Sequence, residues 1–420
     1  MVDDTRPSVL VLYNFVGEDE YERLKEVDPK SLDFEPEYDI EVPTVIEEYE
    51  AVAKALRREG FRAKAYNIRE DLTRLQRRLK RNPPDVIFNL VEFFDDDPEL
   101  EPDIVGLFEL YRIAYTGATP FALTLCQDKA MTKKLLLESN VLTPRFVLLD
   151  EPRMPKRHKL RFPVIVKPAL EDASSGIEKE SVCYDDEQLA ARLEYVHKEF
   201  PDPILVEEFI EGTELHVAVL GNDPPEVLPP IQWDFSDLPE GHPSIISFAA
   251  KWNPLSEVYH RVHSMCPPEL PESTLKKVEK AVLKAFEITW CRDYARLDVR
   301  IDAEGRVYVL EVNPNPDLTE GVSLMEAAEE ADYSFGETLA QIVGFALERK
   351  EEIEHERERR RIEREKKKPA SPEALTATLD GYPSDEEAAA GDGQAQAVDE
   401  SGREAGTTKT TGTTETTTGV

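Results

Sequence analysis

The sequence predicts an α/β domain followed by an α+β unit. Three observations carry that prediction: short apolar runs alternate with amphipathic stretches through the first third, the middle is rich in β-type runs with helices interspersed, and the end is acidic and Thr/Gly-rich. Val9 to Tyr13 reads as the first strand. Pro43 to Glu59 carries Val45, Ile46, Tyr49, Val52, Ala53 and Leu56 at helical spacing, and Gly60 stands where a C-cap would stop it. Arg62 to Tyr66 and Asp85 to Leu90 are strands two and three, separated by a basic helix from Glu70 to Arg81. In an open α/β domain of this kind, ligands bind beyond the carboxyl ends of the strands.

A helical segment from Leu123 to Ser139 leads into β-type runs at Arg145 to Leu149, Val164 to Lys167, Ile204 to Glu207, Glu214 to Leu220, Arg296 to Ile301 and Val307 to Val312. Leu275 to Phe286 has the apolar stripe of a helix packed on one side against a sheet. The expected division is a first domain over 1–122, two halves of the α+β unit over 123–210 and 211–346, a charged helix over 347–368 and a tail over 369–420. Pro369 to Val420 contains ten acidic and two basic residues and one aromatic, Tyr382, a composition that cannot offset the entropy of ordering, so the tail is expected to be disordered.

Charge excludes some partners. Across 420 residues, 86 acidic residues against 51 basic give a net charge of −35, most of it before the tail, which opposes binding to nucleic acid or anionic membranes. Arg357 to Lys368 alternates acids with bases and reads as a solvated, salt-bridged helix. The N-terminus lacks a basic and apolar leader and no stretch of apolar residues is long enough to span a bilayer, so the expected location is the cytoplasm. Cys126, Cys183, Cys266 and Cys291 follow no C-x-x-C pattern and are expected to be reduced, and His260 and His263 lack a second ligand pair at zinc spacing.

Three stretches can carry phosphate chemistry. In the hairpin from Arg296 to Asn313, Arg296, Asp298 and Arg300 share one face of the first strand, and Glu311 and Asn313 share one face of the second. The turn Asp302-Ala-Glu-Gly305 brings Asp298 and Glu311 to roughly opposing positions. Two carboxylates and an amide oxygen there suit magnesium; equally, Arg296 and Arg300 can simply pair with the carboxylates. Phe162 to Pro168 is a strand ending in Lys167, followed by Ser174, Ser175 and Gly176, small residues whose backbone can approach phosphate oxygens. From Ile204 to Gly221, exposed Glu207 and Glu208 could bond an adenine amine, Phe209 and Ile210 could wall it, and Glu214 could accept from a ribose hydroxyl. Taken singly, a Lys-Pro at a strand end is more often just a boundary and Ser-Ser-Gly just a loop, while the third stretch fits a hairpin with solvated glutamates equally well.

In this order, the three stretches resemble the ATP-grasp superfamily, and most closely the D-alanine–D-alanine ligases, over roughly Tyr115 to Ala328. The resemblance implies a Rossmann-like N-terminal domain before an ATP-grasp fold of two α+β subdomains, with ATP and Mg2+ (Mn2+ as the alternative ion) as cofactors. It assigns Lys129, Lys167 and Lys251 to ATP phosphates, Ser174 to Gly176 to the phosphate-covering loop, Glu207 to Ile210 to the adenine hinge, Glu214 to the ribose, and Asp298, Glu311 and Asn313 to the metal. It further implies that a carboxylate attacks the γ-phosphate to give an acyl phosphate, which an amine displaces through a tetrahedral intermediate whose oxyanion faces Arg296.

The departures fall at substrate-side positions. Asn14-Phe-Val-Gly-Glu18-Asp19 stands where those ligases have a glutamate-bearing Gly-Gly-x-Ser motif, Val91-Glu92 to Asp97 where they have His-Gly, Trp252 where they have tyrosine, and Pro314 to Asp317 where a glycine-containing stretch helps hold a carboxylate. Glu18, Glu92, Trp252 and Asp317 are therefore the candidate substrate residues, and an acceptor other than D-alanine is expected, a cationic or polyamine-like amine near Asp317 and Asp95 to Asp97. Solvated carboxylates are the plainer alternative. Small-molecule carboxylate and amine substrates are the expected partners. Homodimerisation and the contacts of the tail stay open, and the competing function is a catalytically silent ATP-binding scaffold.

Overall fold

The computed structural model describes residues 5–15, 32, 34, 45–171, 174–201 and 203–366, and the chain divides into two compact units, Met1–Arg357 and Glu358–Val420. The first unit begins with β1 (Ser8–Tyr13), α1 (Val45–Arg58), β2 (Arg62–Asn67), α2 (Leu72–Arg81), β3 (Val86–Leu90), α3 (Glu101–Tyr111) and β4 (Ala114–Tyr115). Their strands form a parallel sheet in the order β2-β1-β3-β4. Gly60 has the expected left-handed φ of 93°, and the Phe61 amide turns back to the Leu56 carbonyl at 3.1 Å, which ends α1. Acids in the first turn and arginines in the last complement the dipole of that helix.

Where periodicity predicts one helical segment, the chain makes two, α4 (Pro120–Gln127) and α5 (Lys129–Glu138). Asp128 separates them: its backbone leaves the helical region, and its carboxylate accepts from the Met131 amide at 2.8 Å, capping α5. Next come β5 (Phe146–Leu149), β6 (Val164–Pro168), β7 (Val182–Cys183), α6 (Asp186–Glu199) and β8 (Ile204–Glu208), with an antiparallel sheet in the order β5-β8-β6-β7.

A larger antiparallel sheet follows, from β9 (Thr213–Leu220), β10 (Glu226–Val227), β11 (Ile231–Asp234), β12 (His263–Met265), β13 (Tyr294–Ile301) and β14 (Val307–Asn313), ordered β12-β11-β9-β13-β14 with β10 also on β9. Between these strands lie α7 (Phe248–Trp252) and α8 (Glu272–Ile288), and after them α9 (Ser323–Glu330) and α10 (Phe335–Lys366).

Two layers of apolar residues clamp the large sheet. One face meets Val278, Val282 and Phe286 of α8 together with Cys126 and Leu136. The boundary expected at residue 123 falls inside α4, and the one expected at 211 lies between α4 and α5 and the sheet on which they pack. The other face shares a core with β1, β3, α1 and α9, and with Leu339, Ile342 and Val343 of α10. The charged segment expected from residue 347 thus belongs to a helix whose start is core. In the second unit, Arg361 of that helix donates to Glu358 at 2.9 and 2.6 Å; the tail over 369–420 lies outside the described residues. Among the described residues no helix is long and apolar enough to cross a membrane, and the four cysteines are free. His260 is buried with Nε2 at 2.8 Å from the Pro254 carbonyl, a structural use rather than a ligand pair with His263.

One fully buried carboxylate ties these layers together. Asp293, just before β13, accepts from the Gly117 amide at 2.9 Å and the Asn222 side chain at 3.1 Å, and forms a two-pronged ion pair with Arg349 of α10, which also donates to the Tyr115 carbonyl. Asp293→Ala leaves the half-buried Arg349 guanidinium with only the Tyr115 carbonyl and the Gly117 amide without its acceptor, and stability should fall by about 3–5 kcal/mol in urea unfolding. A loss under about 1 kcal/mol would show that the clamp is dispensable.

Candidate active site

The β13–β14 ladder sets the first group of side chains. Asp298 and Glu311 are register partners, and so are Arg296 and Asn313, with a bulge just after Asp298. On its other side Asp298 pairs with His216 of β9, and Arg300 pairs with Glu214. The arginines use these neighbours. Arg296 donates to both oxygens of Asp298, at 2.8 and 3.0 Å, while Arg300 donates to Glu214 and to the Ile210 carbonyl, its guanidinium 4.5 Å over the Phe209 ring. The pairing that competed with the metal site is therefore present. Even so, Asp298, Glu311 and Asn313 form an oxygen-only donor set of the kind a hard divalent cation takes, and among the described residues the Glu311 carboxylate makes no hydrogen bond or ion pair. No set of three or more His, Cys, Asp or Glu side chains is gathered for a metal among the described residues, so the candidate trio needs its amide.

Glu207 departs from expectation. It is 2% exposed rather than open to an adenine, because β8 is an inner strand and two ammoniums close on its carboxylate: Lys167 Nζ lies 2.7 Å from one oxygen and Lys133 Nζ 2.7 Å from the other. Burial pushes this carboxyl up, but the two ammoniums outweigh it and hold it at about 2. For Lys133 burial wins, and its ammonium falls to about 8 despite Glu207, because one carboxylate is shared by two cations. Glu208 is likewise buried, its carboxylate taken by Arg161 at 3.0 Å.

These groups surround a cavity of about 430 Å3. Lys129, Lys167, Lys251 and Arg296 line it, with Ser174, Ser175, Glu207 to Ile210, Glu214, Asp298, Glu311 and Asn313. Gly176 does not, although its turn does: its φ of 67°, and the Phe200 and Pro168 atoms that a Cβ would meet at 2.9 Å, fix a glycine behind the serines. Lys129 donates to the Glu171 carbonyl, and Lys251 lies 4.9 Å over the Trp252 ring. Burial and the nearby Arg296 both lower Lys251 below the usual ammonium range. That crowding of cations suits an anionic ligand.

Glu92, Asp96, Trp252 and Asp317 also line the cavity, whereas Asp95 and Asp97 do not. Asp97 caps a short 3-10 turn through the Glu99 amide at 2.8 Å. Glu18 lies outside the described residues. Asn14 reaches the Phe93 carbonyl at 3.1 Å, tying the carboxyl ends of β1 and β3, and Asn315 bonds the Val91 carbonyl and Glu101, which brings the loop after β14 against the first sheet.

Residues 145–344 match the family model described as D-ala D-ala ligase C-terminus. A D-alanine–D-alanine ligase of Syntrophotalea carbinolica is 32% identical over 301 residues, which cover 71% of this chain and 90% of that protein. The chain belongs to the D-alanine–D-alanine ligase family. A relative in Sinorhizobium fredii, uncharacterized protein y4sG, is 31% identical over 285 residues, 66% of this chain and 80% of that protein. Among solved structures, the D-alanine–D-alanine ligase of Bacillus anthracis complexed with ATP superposes with a TM-score of 0.61 at 20% identity, covering 82% of this chain and 99% of that one, which places the fold as ATP-grasp.

Within this member of the ligase family, three titratable residues escape the sequence reading: His216 lines the cavity, whereas Lys133 and Glu48 act on it through Glu207 and Asp317. Lys133 follows Lys129 by four, on the same helix face, and His216 follows Glu214 by two, on the same strand face; those spacings were the available signals. His216 Nδ1 lies 2.9 Å from Ser323 Oγ, and burial, Arg296 and Lys251 keep its imidazole neutral. Glu48 of α1 had no local signal. Burial first, then Asp317 and Glu47, raise its carboxyl to about 7. A carboxyl raised from 4.5 to about 7 on folding binds its proton more tightly in the native state, so its contribution to stability is full at low pH and lost as pH rises through 7. Glu48→Gln should therefore gain stability over the wild type progressively between pH 5 and 8 in chemical denaturation. A pH-independent difference would contradict the assignment.

Proposed function

We propose that this chain is an ATP-dependent carboxylate–amine ligase that releases ADP, with a divalent cation, Mg2+ or Mn2+, at Asp298, Glu311 and Asn313, and with an acceptor other than D-alanine. The observation that carries this reading is the gathering of Lys129, Lys167, Lys251 and Arg296 around the cavity that the Asp298–Glu311 carboxylate pair also lines.

In this reading Lys129, Lys167 and Lys251 hold the triphosphate oxygens, while the Ser174–Gly176 turn covers them. Phe209 and Ile210 wall the adenine. Glu207 acts there by orienting Lys167, since both its oxygens are already engaged. Glu214, braced by Arg300, faces the ribose. The metal, when bound, neutralises charge on the transferring phosphoryl group. A substrate carboxylate oxygen attacks the γ-phosphorus, ADP leaves, and the acyl phosphate is shielded from water by the turn and by α7. As the amine adds to the acyl carbon, the new oxyanion faces Arg296, and phosphate departs with the oxygen that bridged it.

The acceptor end supports a cationic amine. Asp317 stands where relatives hold a carboxylate, and it lies close enough to Glu48 to raise that carboxyl. ADP release measured over a panel of carboxylates combined with mixed amines should rise only when both partners are present, and Lys167→Ala should cut it by about 100-fold or more. Tight ATP binding without stimulation by any pair would leave the catalytically silent scaffold as the reading. Asp317→Asn should raise the KM for the cationic amine by about tenfold, the loss of roughly one charge-assisted hydrogen bond. Unchanged kinetics would sink the amine assignment.

A further inference from the structure

Arg192 is a buried charge that the proposed chemistry does not use. It projects from α6 beneath the small sheet, is 5% exposed, and stacks its guanidinium 4.4 Å over the Tyr195 ring. Its fork reaches three groups on the exit of the Ser174–Gly176 turn: the Gly176 carbonyl at 2.7 Å, the Ser181 hydroxyl at 2.8 Å and the Glu178 carboxylate at 2.8 Å. Ser181 closes the knot, accepting from the Glu178 amide at 3.0 Å and donating to the Gly176 carbonyl at 3.3 Å.

Ser174 and Gly176 both have left-handed φ, 64° and 67°, a conformation of the kind that exposes successive backbone amides in anion-binding concavities. Such a turn is strained at Ser174, a residue with a side chain, and persists only when its surroundings hold it. Arg192 supplies that hold from behind. The next carbonyl, Ile177, accepts from the Phe248 amide at 3.0 Å, so the anchored turn also meets the first residue of α7, the helix that carries Lys251 into the cavity.

We infer that Arg192 is a positioning residue for phosphate binding: through the Gly176 carbonyl and Ser181 it fixes the turn over the triphosphate, and through Ile177 it sets the start of the Lys251 helix. The inference rests on the reading of the cavity as a nucleotide site. A guanidinium is suited to the role because its planar fork bonds all three groups at once; a lysine ammonium, a point charge, does not.

The test is equilibrium binding of adenosine and of a non-hydrolysable ATP analogue to the full chain, followed by KM and kcat for ATP once a turning-over substrate pair is in hand. Arg192→Met should weaken the analogue roughly tenfold, on the scale of losing about one charge-assisted hydrogen bond, while adenosine, which lacks phosphates, stays within about twofold. The KM for ATP should rise with kcat at saturation little changed, and Arg192→Lys should restore less than half of the lost affinity. Should Arg192→Met fail to fold, Ser181→Ala, which keeps the guanidinium but removes one anchor of the same carbonyl, should show the same selective loss at smaller size. Equal binding of the analogue by wild type and the folded variants overturns the positioning role, as does equal weakening of adenosine and analogue. A wild type that binds neither molecule overturns the nucleotide reading and this inference with it.

Discussion

The site depends on one carboxylate held between two ammoniums. Removing ions from water costs several kcal/mol each, and a buried cluster persists only when geometry and further hydrogen bonds offset that cost. Here Glu207 meets Lys133 and Lys167, and Lys133 adds the Thr143 hydroxyl at 3.0 Å and the Leu310 carbonyl at 2.8 Å. Those four bonds join α5, an inner strand of the small sheet, and the edge strand β14 of the large one. Leu310 is the residue before Glu311, so the same cluster that orients Lys167 also fixes the strand carrying a candidate metal ligand. Two cations share one anion in this cluster, and Lys167 and Glu207 bring it to the cavity wall.

A comparable economy runs through the rest of the cavity, where each cation is held by a protein group before any ligand arrives. Arg296 rests on Asp298, Arg300 on Glu214, Lys129 on the Glu171 carbonyl. Preorganised charge of this kind lowers a barrier because little reorganisation is needed as the reaction proceeds. It also explains why the arginine pairing and the metal reading, which the hairpin alone left balanced, are compatible: Asp298 is the partner of Arg296, while Glu311 and Asn313 extend the oxygen donors beyond that pair.

The legible parts of the sequence were those governed by short-range periodicity. Alternation along β13 and β14, with a turn at Asp302 to Gly305, was enough to oppose Asp298 and Glu311, and the ladder pairs them directly. Gly60 marked the end of α1 because a left-handed residue is needed there. What the sequence hid depends on pairing across long separations. Glu207 looks like a solvated strand end until β5 and β6 flank it and Lys133 arrives from α5; Glu48 acquires its raised carboxyl from burial first and then from Asp317, which the loop after β14 brings near it. The split at Asp128 was missed for a different reason, since apolar periodicity runs on through a residue whose side chain caps the second helix.

The central claim is that this cavity activates a carboxylate by phosphoryl transfer, and oxygen tracing tests it most directly. With the carboxylate that stimulates ADP release labelled in both oxygens with 18O, the account predicts that each turnover delivers one labelled oxygen to inorganic phosphate and leaves the other in the amide. Amide formed with phosphate free of label, or ADP released at the same rate without any carboxylate, would contradict it.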